Sequence, residues 1–101
     1  MSRLTIAAEH KLSRQEALRR LKTRLGSRVA ARYRRQVIEL YEGWTDGSFS
    51  FRFKAVGMKV SGTLTVDDSA VRVAVDVPFA ALLFKKKIDE QVRAELVSAL
   101  D

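Results

Sequence analysis

Strict alternation of apolar and polar residues between positions 48 and 77 limits the folds open to this chain more than any other feature. Phe49, Phe51 and Phe53 are interleaved with Ser50, Arg52 and Lys54. Met58, Val60, Leu64 and Val66 alternate with Lys59, Ser61, Thr63 and Thr65, and Val71, Val73, Val75 and Val77 with Arg72, Ala74 and Asp76. A period of two sends alternate side chains to opposite faces of a strand. Three such strands in succession describe an antiparallel sheet that is apolar on one face and wetted on the other. Their joints are short. Thr45-Asp46-Gly47, Ala55-Val56-Gly57 and Asp67-Asp68-Ser69 carry turn chemistry, so consecutive strands should pair in order.

The flanking segments supply the rest of the domain. Ser2 to Ile6 alternates, with Leu4 and Ile6 on one side, and predicts a short first strand. Gln36 to Trp44 is rich in β-formers but mixed in pattern. Ser13 with Glu16 three residues on predicts a capping box, with Leu12 and Ala17 as a weak staple across it. Leu18, Leu21, Leu25, Val29 and Tyr33 share one face of the helix that follows, which runs to about Tyr33. Gly26 weakens that helix by about 1 kcal/mol relative to Ala without interrupting the stripe. Pro78 ends the last strand and suits a first helical turn. The second helix should reach about Leu100, with Phe84, Ile88, Val92, Leu96 and Ala99 as its stripe. Two amphipathic helices need an apolar surface, and the sheet offers one. The expected fold is α+β: an antiparallel sheet of about five strands, two helices packed on one face, order β-α-β-β-β-β-α.

The chain of 101 residues is read as one domain, 1–101. It contains no cysteine, which excludes disulfides and thiolate metal sites. His10 is the single histidine and is expected to be a surface or capping residue. Asp67 and Asp68 fall in a turn, where Asp bonds to backbone, and Asp89, Glu90 and Glu95 on the final helix. Gly43 and Gly47 flank a turn with no helix after it, so they form no phosphate loop. No catalytic, cofactor or metal site is expected, and the chain should act by binding. No apolar run approaches the ~20 residues of a membrane-spanning helix. The first residues lack a signal-peptide core. A cytoplasmic location is therefore expected.

Three surfaces are candidates for that binding. The net charge is +7, and ten Lys or Arg residues against Glu16 alone lie between Lys11 and Arg35. On the first helix Arg19, Arg20, Arg24, Arg34 and Arg35 should point away from the leucine stripe. Arg28 sits at its flank, and Arg14, Lys22 and Arg32 lay their stems over the core edge. Such a face suits phosphate contact in a basic nucleic-acid-binding module, or plain solubility. The open sheet face carries Arg3, Arg52, Lys54, Lys59 and Arg72, but Tyr41 is the one plausible ring there for a base to stack on. The third surface is apolar. If Phe84 faces the core, then Phe79 and Leu83 point the other way with Leu82 to one side, beside Lys85, Lys86 and Lys87. An apolar lip next to cations marks an interface with a hydrophobic surface or with a second copy, in a small homodimeric scaffold.

A family resemblance runs through the whole chain. Its pieces are His10-Lys11-Leu12-Ser13 leading to Glu16-Ala17, then Ala31-Arg32-Tyr33, the Trp44 strand and Phe51-Arg52-Phe53. Gly57, Gly62-Thr63-Leu64-Thr65-Val66, Val75-Asp76-Val77-Pro78-Phe79 and Lys86-Lys87-Ile88-Asp89 follow in order. In these the chain resembles the putative polyhydroxyalkanoic acid system proteins, also described as polyhydroxyalkanoate granule-region proteins. It departs in having more residues between Tyr33 and Phe49 and an unusually arginine-rich first helix. The resemblance implies an accessory role in storage of a bacterial polyester, at the granule surface or on a granule protein, and it supplies no active-site residues.

Overall fold

The computed structural model describes residues 2–32, 35–55 and 57–101, and their side chains except those of 26–30 and 32. The order of elements is β1 (Ser2–Glu9), α1 (Arg14–Arg32), β2 (Val37–Thr45), β3 (Ser48–Ala55), β4 (Met58–Val66), β5 (Ala70–Val77), a 3₁₀ segment (Phe79–Phe84) and α2 (Lys85–Leu100). The five strands form one antiparallel sheet in the order β1-β5-β4-β3-β2. The fold is the expected α+β arrangement.

Side-chain parity follows the alternation. Leu4, Ile6 and Ala8 of β1, Val71, Val73, Val75 and Val77 of β5, and Leu64 and Val66 of β4 are buried on one face, with Phe49 of β3. Ala17, Leu21 and Leu25 of α1 and Leu96, Ala99 and Leu100 of α2 complete the same apolar cluster, so both helices cover that face. Phe49, Phe51 and Phe53 form a ladder along β3 with centroids 5.9 and 6.2 Å apart, and Trp44 of β2 stands 4.9 Å from Phe49. β1 runs on to Glu9, beyond the expected end at Ile6, because Ala8 keeps the alternation and is small enough to sit opposite Val71 under the helices.

The turns set the register. Asp46 and Gly47 have φ of 45° and 82°, the left-handed pair that a two-residue hairpin turn needs between paired Thr45 and Ser48. Asp67 Oδ1 accepts the N–H groups of Ser69 and Ala70 at 3.0 and 2.8 Å and closes the β4–β5 turn. The mixed pattern of β2 has a cause as well. Its register shifts by one residue between Ile38 and Tyr41, at a bulge where Glu39 has φ 52°.

Half of the expected capping box forms at the start of helix α1: Ser13 Oγ accepts the Glu16 N–H at 3.1 Å. The Glu16 carboxylate turns to Arg19 and Arg20, and these hydrogen bonds hold it at a pKa of about 2. Two residues of the expected stripe, Val29 and Tyr33, fall outside the described side chains.

The second helix differs from expectation. The chain from Pro78 first winds as 3₁₀ and becomes an α-helix only at Lys85, after Phe84 (φ −107°, ψ 17°) resets the backbone. Ile88, Val92, Leu96 and Ala99 pack on the core as predicted, but Phe84 is 55% exposed. Three residues per turn instead of 3.6 adds about 20° per residue, roughly a third of a revolution over six residues, which carries Phe84 off the stripe.

Candidate functional site

The lip is built by the 3₁₀ segment and the first turn of α2. Ala81 is buried and Leu82 packs against the core, anchoring the segment from below. Phe79 and Leu83 stand out at 79% and 87% exposure, and Phe84 joins them. The expected lip therefore changes membership: Leu82 turns inward, because it and Ala81 are what the tighter winding presents to the core, and Phe84 takes its place. Lys85, Lys86 and Lys87 follow directly and are all exposed. A shallow groove continues along α2 from Leu83 and Phe84 past Lys87, Glu90, Gln91 and Ala94.

The lysines are placed against the helix's own electrostatics. The first turn of α2 contains no acid, and its N-cap residue makes no side-chain cap bond. A helix N-terminus favours negative charge, and each misplaced cation there costs about 0.3–1 kcal/mol. Such an arrangement suits an anionic partner better than it suits the isolated fold.

The basic face of α1 is rearranged relative to expectation. Arg20 and Arg24 do not point away from the core. Arg20 donates to the Leu100 carbonyl at 2.6 Å and Arg24 to the Ala99 carbonyl at 3.3 Å, closing the last turn of α2. A helix leaves its final carbonyls without partners, and cations there are favourable. Arg19 points to solvent and pairs with Glu16 at 2.6 Å. Arg35 is exposed in the turn after α1 and not on the helix, and Arg34 lies outside the described residues. Arg14 and Lys22 lie at the core edge as expected. Arg14 donates to the Val66 carbonyl at 3.0 Å, and the Lys22 ammonium stands 5.6 Å from the Trp44 ring.

Three of the cations expected on the open sheet face stand in ion pairs. Arg3 meets Asp76 at 3.0 Å, Arg72 meets Asp67 at 3.3 Å and Lys54 meets Glu39 at 3.4 Å. Hydrogen bonding to Arg3 keeps the Asp76 carboxyl below its ordinary range. Tyr41 is on this face, and the Arg52 guanidinium covers its ring at 4.8 Å.

His10 acts as a tie. The Leu12 N–H donates to Nδ1 at 3.1 Å, so Nε2 bears the proton and donates to the Asp67 carbonyl at 3.0 Å. The His10 N–H also reaches the Ser69 carbonyl at 2.9 Å, fastening the entry to α1 onto the β4–β5 turn. Among the described residues, no three His, Cys, Asp or Glu side chains gather where a metal ion could be held. No helix among them is long and apolar enough to cross a membrane.

The family model described as "Putative polyhydroxyalkanoic acid system protein" matches residues 4–100. The chain belongs to that family. The match covers the lip, its lysines and both helices. No curated protein matches the chain. Among solved structures, the crystal structure of TTHA0849 from Thermus thermophilus is similar at 13% identity, with a TM-score of 0.44, over 98% of this chain and 94% of that one.

Proposed function

We propose that the protein is a non-enzymatic, cytoplasmic accessory protein of the polyhydroxyalkanoate system that holds an amphipathic surface, either the storage granule or a protein upon it. The observation that carries this reading is the lip. Phe79 and Leu83 are the two most exposed large apolar side chains described, and three lysines adjoin them. Apolar side chains beside cations are the chemistry of docking at a hydrophobic boundary with anionic character. Membership of the family supports the polyester setting.

The test is co-sedimentation with isolated polyhydroxyalkanoate granules. Wild type should travel with the granules. Leu83→Glu should stay in the supernatant with its melting temperature unchanged, since Leu83 is almost wholly solvated already. Equal recovery of the two proteins would discard the lip, and absence of both from the granules would discard the granule.

Binding to nucleic acid is the weaker reading. Arg20 and Arg24, its central residues, are spent on the end of α2.

A further inference from the structure

The two margins of the sheet are unlike. β1 lies under α2, and Arg93 of α2 donates to the Ala7 carbonyl on that strand. β2, at the other margin, is bare: residues 38–43 are all exposed, among them Ile38, Leu40 and Tyr41. An uncovered edge presents unpaired N–H and C=O groups that template pairing with another strand.

A glycine stands in the middle of the regular part of this edge. Gly43 does not have a positive φ, and a Cβ there would meet nothing within 4 Å. Glycine weakens a strand, and nothing within the described fold calls for one here. Glycine in a strand otherwise marks a place where another backbone comes close.

We infer that β2 pairs antiparallel with β2 of a second copy, with the two-fold axis at Gly43. The register can be worked out. A two-residue turn closes on a hydrogen-bonded pair, here Thr45 with Ser48, so Gly43 also bonds inward to β3 and Glu42 and Trp44 direct their N–H and C=O groups outward. The bulge at Glu39 confines regular pairing to Tyr41–Thr45. Three self-pairings then match outward groups with outward groups. One sets Glu42 opposite Glu42, which places like charges together, and another centres on Trp44 and uses only residues 43–45 of the regular stretch. The third sets Glu42 opposite Trp44, Tyr41 opposite Thr45 and Gly43 opposite Gly43. In it each Glu42 approaches the Trp44 ring beside which Lys22 of the second copy stands, so the charges are complementary. Gly43 falls on the non-bonded pair, where Cα atoms come within about 4.5 Å and side chains crowd most.

The partner is thus another molecule of this chain, and the surface is at the opposite sheet margin from α2. The lip plays no part in it, so the assay needs no granule. The chain has no cysteine of its own, which permits a direct test. Gly43→Cys should oxidise to a disulfide dimer rapidly, because its Cα separation suits the bond. Thr45→Cys should not, since in this register its two copies lie about 14 Å apart along the strands. Wild type should sediment at twice the monomer mass at near-millimolar concentration. Glu42→Pro, which removes one outward N–H, should sediment as a folded monomer. A monomer mass for wild type at every concentration, or cross-linking of Thr45→Cys as fast as Gly43→Cys, overturns the inference.

Discussion

The ring of Phe51 occupies the space above Gly62 that the Cβ of any other residue would need. The two are cross-strand partners on the core face, and a Cβ on Gly62 would also come within 2.7 Å of the Ala74 carbonyl oxygen. Backbone on one side and an aromatic ring on the other leave little room to yield. Gly62→Ala should cost about 1–3 kcal/mol, as overpacking in a tight core does. Urea denaturation would measure it. Pairing it with Phe51→Leu should recover part of the loss, because the smaller side chain vacates the site. Strictly additive losses would show that the ring is not the obstacle.

His10 holds three segments together through two ring nitrogens and its own N–H. His10→Ala should lower stability by about 1–2 kcal/mol through lost hydrogen bonds and the groups left behind. The loss should also appear as faster amide exchange at Leu12, whose N–H gives up its acceptor. An unchanged exchange rate there would count against the tie.

Arg20 and Arg24 predict a graded pair of effects. Arg20 makes the shorter bond to α2 and is half-buried, so Arg20→Ala should cost about 1–2 kcal/mol, in the range of hydrogen bonds to charged groups. Arg24→Ala should cost less, because its bond is longer. Arg19→Ala removes only an exposed ion pair and should leave stability nearly unchanged. Chemical denaturation of the three variants would rank them.

Acid should weaken the fold through identified carboxylates. Hydrogen bonds from Arg19 and Arg20 lower Glu16 from its ordinary 4.5 to about 2. Backbone N–H groups of Ser69 and Ala70 lower Asp67, and Arg3 lowers Asp76. A folded-state pKa below the unfolded one means stability that is complete above the unfolded value and lost as pH falls through the folded one. The melting temperature should therefore be nearly level above pH 5, as far as these groups determine it, and decline toward pH 2. Glu16→Gln should make that decline shallower. Parallel curves for the variant and wild type would remove Glu16 from the explanation.

The sheet was legible from the sequence because strand parity is local. Nothing beyond the next residue decides that Phe49, Phe51 and Phe53 share a face, and the buried and half-buried rings follow that rule. The lip was legible in part. Phe79 and Leu83 are exposed as expected, but a helical wheel drawn from Pro78 assumes 100° per residue, and the 3₁₀ winding broke that assumption for Leu82 and Phe84. Arg20 and Arg24 were misplaced for a different reason. Where a long guanidinium ends depends on where the other helix stops, and that helix is about 75 residues away in sequence. The bulge in β2 left only a blurred alternation as its signal.

The pairing of β1 with β5 has a temporal meaning. Ser2 meets Val77 and Glu9 meets Ala70, so the first strand to be synthesised waits for the last before it has a neighbour. The hairpins between β2 and β5 close over turns of a few residues and need no such delay. Until β5 is in place, Leu4 and Ile6 have no neighbouring strand to complete their cover. Mutations that loosen β1 should then act on the final, slow event of assembly, leaving the hairpin meander to form at its own pace.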